Sequence, residues 1–367
     1  MAHANAEPLV SFKGIQKSYD GVNLVVKNLD LDIYPGEFLS LLGPSGSGKT
    51  TCLMMLAGFE FPTGGDIYLE RQRLNNVPPH KRNIGMVFQN YALFPHMTVE
   101  KNLEYPLRVR KVPAAQRNTR IQDALSMVQM GAFAKRYPAQ LSGGQQQRIA
   151  LARALVFNPK LVLMDEPLGA LDKQLREHMQ LELKALHKKL GVTFVYVTHD
   201  QSEALTMSDR VAVFDQGIIQ QISSVSTLYE SPGNRFVAGF VGDCNQFEGV
   251  VQSRSEGTCV VSLNNGISMT GLDVNQTPIG APCVLAIRPE RLNIIDPAAR
   301  PGGNVFKANA LDSVYFGDHV RLRCSIPESA HFFVKLPFGD SSSIQSLVYG
   351  SEVLLCVSPE HVRVFSP

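Results

Sequence analysis

The segment Gly43–Thr50, which reads GPSGSGKT, restricts the fold of this chain more than any other stretch of its sequence. The apolar run FLSLL comes directly before it, and the helix-like run TTCLMMLAG follows. Glycines at this spacing let the backbone wrap so that its N–H groups point at phosphate oxygens. Lys49 then reaches the β- and γ-phosphates and Thr50 binds Mg²⁺. The pattern predicts an α/β domain with a phosphate loop, whose nucleotide-binding residues are Gly43, Pro44, Ser45, Gly46, Ser47, Gly48, Lys49, Thr50 and Thr51.

A second candidate segment, LVLMDEP, supplies acidic groups. Its four apolar residues predict a buried strand that ends at Asp165 and Glu166. Asp165 can hold Mg²⁺ directly or through water, and Glu166 can act as general base toward an attacking water. An apolar run that ends in two acids is weak evidence alone, because strand ends often meet solvent. Together with the phosphate loop it predicts a hydrolytic site.

Two more polar residues end apolar runs in the same way. Gln89 ends NIGMVFQ, and His199 ends TFVYVTH. Either one alone is more often an ordinary polar residue at a strand end. Because ligands of open α/β sheets bind at the carboxyl ends of the strands, both are candidates for the same site. Gln89 is predicted to contact the metal or the attacking water, and His199 the γ-phosphate.

The order of patterns along the chain predicts two domains. Strand-like and helical runs alternate up to about residue 242, interrupted between Thr98 and Gln140 by mostly helical patterns. Short alternating strands with turn signals follow. The predicted fold is an α/β phosphate-loop NTPase domain over residues 1–242, with a helical subdomain at about 98–150, followed by a small all-β domain over 243–367.

The tail carries its own internal signals. TCVVSLNNGISM predicts a hairpin with Asn265 and Gly266 at its tip. The run Ile287–Ile295, IRPERLNII, matches Val357–Phe365, VSPEHVRVF, in apolar alternation and in its Pro-Glu step. This faint repeat predicts two related halves.

Composition excludes several classes of protein. A formal net charge of +2 is too small to argue for a nucleic-acid partner or an anionic membrane surface. No apolar run approaches the roughly 18 residues of a spanning helix, and the first residues lack the pattern of a secretory signal. The six cysteines are scattered without metal-ligand spacing, which predicts reduced core thiols in a cytoplasmic protein.

Three further segments carry a resemblance to a known family. They are LSGGQQQR at Leu141–Arg148, LGALD at Leu168–Asp172, and KSYDG around Tyr19. In this order and spacing, Val10–Gly242 resembles the ATPase subunit of an ATP-binding cassette transporter. The resemblance implies ATP and Mg²⁺ as ligands. It also implies that Tyr19 stacks on adenine and that Asp172 belongs to the D-loop.

The segment Leu141–Arg148 is similar to the family's signature motif. Ser142, Gly143, Gly144 and Gln145 come directly before a helical run, where a hydroxyl, backbone N–H groups and the positive end of the helix dipole suit an anion. In the family this cap meets the γ-phosphate that the phosphate loop of a second subunit binds. With one loop and one signature segment, the chain is expected to form a head-to-tail homodimer with twofold symmetry.

The tail resembles the paired oligonucleotide-binding-like (TOBE) folds of importer ATPases, which also contain a segment like IRPERLNI. This resemblance implies integral membrane permease subunits that dock on NYALFPHMTVEKNL, at Asn90–Leu103. It further implies an extracytoplasmic solute-binding protein and a peripheral position on the cytoplasmic face of the plasma (inner) membrane. It implies no nucleic-acid partner.

Alternatives remain open from the sequence alone. A soluble cassette ATPase of DNA repair or translation needs coiled coils, paired cassettes or basic faces, which this sequence lacks. The tail could also act mainly as a regulatory binding module. The sequence favours a polyamine or a similar amino-cation as solute, with ferric iron, phosphonate and sugar as alternatives.

Overall fold

The computed structural model describes residues 6–296, 302–327, 331–337 and 350–367. The chain divides into two compact units, Met1–Val225 and Ser226–Pro367. The domain boundary expected after residue 242 stays a prediction. The segment 226–242 belongs to the second compact unit.

The first unit contains two sheets. Four strands form the order β2-β1-β4-β5, paired antiparallel, and six form the order β10-β9-β3-β8-β7-β6, parallel except for β10. The predicted parallel sheet is therefore present, and the antiparallel sheet is an addition to it. The strands are β1 Val10–Ser18, β2 Leu24–Ile33, β3 Phe38–Leu42, β4 Gly64–Leu69, β5 Gln72–Arg73, β6 Gly85–Val87, β7 Leu161–Asp165, β8 Thr193–Thr198, β9 Arg210–Asp215 and β10 Ile218–Ser224.

Strands β3, β7 and β8 lie at the centre of the parallel sheet, and almost every residue in them is buried. Apolar side chains on both faces make this burial favourable. Strand β6 is shorter than its apolar run suggests, because it ends at Val87, two residues before Gln89. Gln89 therefore lies in the connection that follows the strand.

Among the described residues of the first unit, six helices accompany these sheets: α1 Lys49–Ala57, α2 Val99–Val109, α3 Ala114–Met127, α4 Gly143–Leu155, α5 Lys173–Leu190 and α6 Gln201–Met207. Helices α2 and α3 occupy the predicted helical insertion and share a hydrophobic cluster with α4 that includes Leu103, Leu125 and Ile149. The insertion is helical as its pattern predicts, and it packs with α4 around a core that the pattern did not predict.

Two short helices come first in the second unit, α7 Val225–Glu230 and α8 Arg235–Phe240. Val225, the first residue of α7, is counted with the first unit. A closed barrel of order β11-β12-β13-β20-β14 and a five-stranded sheet of order β15-β19-β16-β17-β18 follow. The expected all-β fold of the tail is confirmed. The strands are β11 Asn245–Ser255, β12 Thr258–Leu263, β13 Ser268–Asp273, β14 Pro282–Ile287, β15 Asn293–Ile294, β16 Asn304–Tyr315, β17 His319–Ser325, β18 Phe332–Pro337, β19 Glu352–Val357 and β20 Val362–Phe365.

The predicted hairpin and repeat both correspond to structure in the tail. Strands β12 and β13 pair antiparallel around Gly266, whose φ is +80°. Each copy of the repeat places a single turn of 3-10 helix, starting at Pro289 or Pro359, between two strands. The first copy passes from barrel strand β14 to sheet strand β15, and the second passes from sheet strand β19 back to barrel strand β20. The two halves therefore exchange strands rather than follow one another.

The six cysteines are free thiols, and five of them are buried. Within the described ranges, no helix is long and apolar enough to cross a membrane.

Candidate active site

The phosphate loop connects the carboxyl end of β3 to the first turn of α1, and sterics require glycine at two of its positions. A Cβ at Gly43 would lie 2.2 Å from the carbonyl oxygen of Phe214. Gly48 has φ +100°, and a Cβ there would lie 2.9 Å from the carbonyl oxygen of Val25. The loop therefore keeps a backbone path that only glycine can follow. Ser45 and Gly46 are exposed on it, Pro44 is half-buried, Ser47 is buried, and Thr51 lies in the first turn of α1.

Lys49 lies inside the loop. Its Nζ donates hydrogen bonds to the carbonyl oxygens of Gly43 and Pro44, both at 2.8 Å, and to Ser47 Oγ at 3.4 Å. Burial lowers the pKa of Lys49, and the charges of Glu166 and Asp165 oppose that change. A buried cation held by neutral carbonyls is well placed to gain from a polyphosphate anion.

Thr50 and Asp165 meet at the base of the loop. Thr50 Oγ1 donates to Asp165 Oδ1 at 3.0 Å. Burial raises the pKa of Asp165, while the Thr50 hydrogen bond acts in the opposite direction. A hydroxyl beside a carboxylate is a hard oxygen pair of the kind that holds Mg²⁺ together with substrate phosphates. Among the described residues there is no cluster of three His, Cys, Asp or Glu side chains suited to a metal, so phosphate oxygens and water would complete such a site.

Glu166 follows β7 in a strained conformation. Its φ is +43°, which is uncommon for a residue with a side chain, while its N–H still donates to the Val197 carbonyl of β8 at 3.0 Å. Gln89 Nε2 donates to one carboxylate oxygen at 3.5 Å, and His199 Nδ1 lies 3.1 Å from the other. The structure therefore brings together the three residues that sequence reasoning selected for hydrolysis.

Neighbouring residues fix the position of His199, and sequence reasoning missed them. Thr198 Oγ1 donates to the buried Glu203 at 2.7 Å, and Asp200 caps α6 by accepting from Ser202 N at 2.8 Å. Arg176 binds Asp200 at 3.4 Å and the Leu171 carbonyl at 2.9 Å. The chain on both sides of His199 is thus anchored, while the imidazole itself is 58% exposed.

Tyr19 comes directly after β1. Its side chain is 60% exposed, and Lys17 Nζ lies 4.7 Å from the centre of its ring. Lys17 in turn pairs with Glu60 at 2.8 Å. An exposed aromatic ring with a cation on it is suited to stacking on a flat heterocycle.

The signature segment caps helix α4 as its sequence predicts. Ser142 Oγ accepts from Gln145 N at 3.4 Å, and Gln145 Oε1 accepts from Ser142 N at 3.0 Å, which completes a capping box. Gly143 is exposed, while Gly144 is buried with Leu175 packed against it. The amide of Gln145 is therefore part of the cap, and the exposed surface consists of Ser142 and Gly143. Asp172 caps α5 in a similar way, accepting from Leu175 N at 2.9 Å.

These features together define a class of protein. A glycine loop with an internal lysine, a Thr–Asp oxygen pair and a carboxylate flanked by Gln and His are the parts of an enzyme that hydrolyses a nucleoside triphosphate. The geometry alone does not name the family.

Comparisons with known proteins do. Residues 26–169 match the family model described as ABC transporter, and residues 285–365 match the one described as TOBE domain. The spermidine/putrescine import ATP-binding protein PotA of Thermobifida fusca is 44% identical over 98% of this chain and 94% of its own. Its counterpart in Rubrobacter xylanophilus is 47% identical over 83% of this chain and 80% of its own.

A solved structure matches the first unit. It is the dimer of an ATP-binding cassette in a post-hydrolysis state bound to ADP and Pi, with a TM-score of 0.53 and 35% identity over 59% of this chain and 98% of that one. The chain belongs to the ATP-binding cassette (ABC) transporter family, among the import ATPases that end in a TOBE domain. It binds ATP, and its hydrolysis of ATP is coupled to transport.

Proposed function

We propose that this ATPase powers the import of polyamines such as spermidine and putrescine. The observation that carries the proposal is near-full-length similarity to relatives of that name, which are 42–47% identical and cover the tail as well as the cassette. In this proposal the chain acts at the cytoplasmic face of the inner membrane with permease subunits, and an extracytoplasmic binding protein delivers the solute. Ferric iron, phosphonate and sugar are the competing solutes.

Uptake measurements test the solute. The gene is deleted in its host, and uptake of labelled putrescine, spermidine, ferric iron and a sugar is followed. Restoring the wild-type gene should recover polyamine uptake alone, and a Lys49→Ala copy should recover none. Recovery of iron or sugar uptake without polyamine uptake would reject the assigned solute and leave the transport ATPase in place.

Each residue of the site has a proposed role in hydrolysis. Thr50 and Asp165 hold Mg²⁺, whose charge offsets that of the phosphates. The phosphate loop and Lys49 bind the triphosphate, and Tyr19 stacks on the base. Glu166 accepts the proton of the attacking water, while Gln89 and His199 orient its carboxylate and contact water, metal or γ-phosphate. The distances of 3.5 and 3.1 Å to Glu166 support this assignment.

We infer further that two copies share each nucleotide, with the signature cap of one copy facing the phosphate loop of the other. The cap supports this proposal because its exposed end offers the Ser142 hydroxyl and the positive end of a helix dipole. The matching cassette structure is described as dimeric. In this arrangement Asp172 lies near the shared nucleotide.

Substitutions at Ser142 test the shared site without removing the helix cap. Both Asp and Asn cap helices as well as Ser does. Ser142→Asp adds a negative charge where the γ-phosphate of the other copy would lie, so we expect kcat to fall at least about tenfold. Ser142→Asn also removes the hydroxyl but adds no charge, so it should retain clearly more activity than Ser142→Asp. Both proteins should bind a fluorescent ATP analogue normally, and equal activity in the two variants would contradict the shared site.

A groove in the first unit supports the proposed permease contact. It has a volume of about 470 Å³, and its lining includes Phe88, Phe94, Tyr105 and Val109. Tyr105 and Val109 are about half exposed, so the groove presents apolar surface to solvent. Two lining residues, Ala92 and Phe94, belong to the segment Asn90–Leu103 that the sequence selects for docking. The groove is of a size and polarity to take the apolar face of a short helix.

A further inference from the structure

The backbone just after Gln89 has an unusual conformation. Tyr91 has φ +62° and Ala92 has φ +46°, so two consecutive residues with side chains occupy the left-handed region. The N–H of Ala92 donates to the Asn90 carbonyl at 2.7 Å, which closes a tight turn around Tyr91. Such conformations persist only where the surroundings impose them. Some part of the fold must therefore hold this turn.

Arg153 makes the contacts that hold it. One guanidinium nitrogen donates to the Tyr91 carbonyl at 2.8 Å and another donates to the Ala92 carbonyl at 2.7 Å. The same guanidinium carbon lies 5.6 Å from the centre of the Phe94 ring. Burial lowers the pKa of Arg153, and no ion pair accompanies it in the described part of the chain. Both hydrogen bonds thus join a poorly solvated cation to the two residues with positive φ.

Arg153 lies on the same helix as the signature cap, so its contacts join that helix to the turn at Tyr91 and Ala92. Arg153 lies in the last turn of α4, and Ser142 caps the first turn of the same helix, about 16 Å away by the rise of an α-helix. Gln89, which contacts Glu166, precedes the turn by two residues. Helix α4 therefore connects the signature cap to the turn that directly follows Gln89, the residue beside the proposed general base.

A second attachment holds the other end of the segment. Asn102 of α2 is fully buried. Its Oδ1 accepts from Phe94 N at 2.8 Å, and its Nδ2 donates to the carbonyls of Phe94, Met97 and Thr98 at 3.1–3.2 Å. The segment from Tyr91 to Thr98 is therefore fixed to α2 at its end and to α4 at its start. Arg153 provides the link on the side of the signature segment.

We propose that Arg153 is a positioning residue for hydrolysis: it ties helix α4 to the turn at Tyr91 and Ala92, so that the signature cap and Gln89 keep a fixed relation. The proposal rests on the shared nucleotide site described above. Arg153 itself touches neither the phosphate loop nor the acids. Its loss lets the turn relax toward negative φ, which displaces Gln89 from Glu166 and separates the movement of α4 from the site.

The test uses the purified full-length chain and measures ATPase activity. Arg153→Ala should lower kcat about tenfold or more, because a displacement of about 1 Å of a catalytic group can lower the rate by about 10²-fold. The KM for ATP should stay within about twofold, since Arg153 contacts no nucleotide-binding residue. Arg153→Lys keeps the charge but cannot serve two carbonyls with a planar fork, so it should show the same pattern more weakly.

Rescue by glycine separates positioning from general stability. Glycine adopts positive φ without steric cost, so Ala92→Gly added to Arg153→Ala should recover kcat at least about threefold relative to the single variant. Arg117→Ala is the matched control, because this arginine joins α3 to Glu104 of α2 at 3.2 Å and does not contact the turn. It should lower the melting temperature without lowering kcat at 25 °C.

Four results would overturn the proposal: unchanged kcat in Arg153→Ala, a parallel change of kcat and KM, no recovery with Ala92→Gly, or an equal loss in Arg117→Ala. If Arg153→Ala does not fold, Arg153→Lys with and without Ala92→Gly gives the same decision. The Ser142 variants report separately on the shared site. Equal activity of Ser142→Asp and Ser142→Asn with a normal Arg153 pattern would reject the sharing and keep the positioning role.

Discussion

The surroundings of Glu166 in the first unit and of Arg288 in the second unit use polar side chains in different ways. In the first unit, the carboxylate of Glu166 contacts Gln89 and His199 but stays partly open to solvent, at 22% exposure. In the second unit, Arg288 is 7% exposed, and its guanidinium donates hydrogen bonds to the carbonyls of Ala238, Asp243 and Tyr229 at 3.0–3.2 Å. The first arrangement keeps hydrogen-bonding capacity for a ligand, and the second has used that capacity inside the fold.

A residue of a family motif can have a purely structural role. Arg288 begins the RPE segment that resembles importer tails, and such a motif is easily taken for a binding site. The role of Arg288 in the structure is to hold elements of the second unit together. Its hydrogen bonds to three carbonyls join the short helices α7 and α8 to the segment that follows barrel strand β14. Asn304 is similar, since it bonds both backbone groups of Thr270 at 2.6 and 2.8 Å. We therefore expect substitutions in the first unit's site to change rates and those at Arg288 to change stability.

Glu166→Gln should affect catalysis more strongly than any other substitution considered below. The amide keeps the size of the side chain but cannot accept the proton, so kcat should fall by about 10²–10⁴-fold. ATP affinity should remain, and ATP-bound dimers should accumulate in light scattering with MgATP. Lys49→Ala is the contrasting variant, because it should weaken triphosphate binding itself. Hydrolysis at the wild-type rate by Glu166→Gln would move the role of activating water to Gln89 or His199.

A smaller effect, on stability alone, is expected from Arg288→Ala. The change leaves three carbonyls without their charged donor, which should lower the free energy of unfolding by roughly 2–4 kcal/mol. The KM and kcat for ATP should stay near wild type at low temperature. Arg291→Ala is the matched control three residues on, because its ion pair with Glu230 is about one-third exposed and worth less than about 1 kcal/mol. Calorimetry of both variants measures the difference, and equal losses would remove the distinction drawn for Arg288.

Much of the first unit's site was predictable, because short stretches of sequence determine where its strands end. A buried parallel strand ends where its apolar run ends, which placed Asp165 and Glu166 correctly at the edge of the sheet. The antiparallel sheet was not predicted. Strands β1 and β2 contain register shifts near Ile15, with Gly14 at φ +56° and Asn28 at φ +44°, and such bulges destroy the period of two that reveals a strand.

The residues that position the site were not predictable for a different reason. Arg153 and Arg176 bind backbone carbonyls, which every residue has, so no partner residue type marks their role. The carbonyls that Arg153 binds lie 61 and 62 residues away in sequence. The exchange of strands in the tail was unpredictable for the same reason, because β20 pairs with β14, a strand far from it in the sequence. Only tertiary structure contains such information.

A still smaller effect is expected at Tyr91, a buried residue of the first unit. Its ring is 6% exposed, and its hydroxyl is buried without a hydrogen-bond partner in the part of the chain that the structure describes. Burial accordingly raises the pKa of Tyr91. Tyr91→Phe removes an unsatisfied group and keeps the ring, so the free energy of unfolding in urea should rise by about 0.5–1.5 kcal/mol.

Tyr196→Phe is the matched control for this prediction. Tyr196 belongs to the same hydrophobic cluster, but its hydroxyl donates to Glu203 at 2.8 Å, so its removal should lower stability by roughly 1–3 kcal/mol. Stability changes of opposite sign in Tyr91→Phe and Tyr196→Phe would show that the Tyr91 hydroxyl is buried without a hydrogen-bond partner. The same measurement in the Glu166→Gln protein with ATP tests whether the Tyr91 hydroxyl gains a partner in the closed dimer. If it does, Tyr91→Phe should no longer be more stable than the protein that retains Tyr91. A loss of stability in Tyr91→Phe without nucleotide would mean that the hydroxyl already has a partner, and Tyr91 would then resemble Arg288, whose hydrogen-bonding groups are used inside the fold.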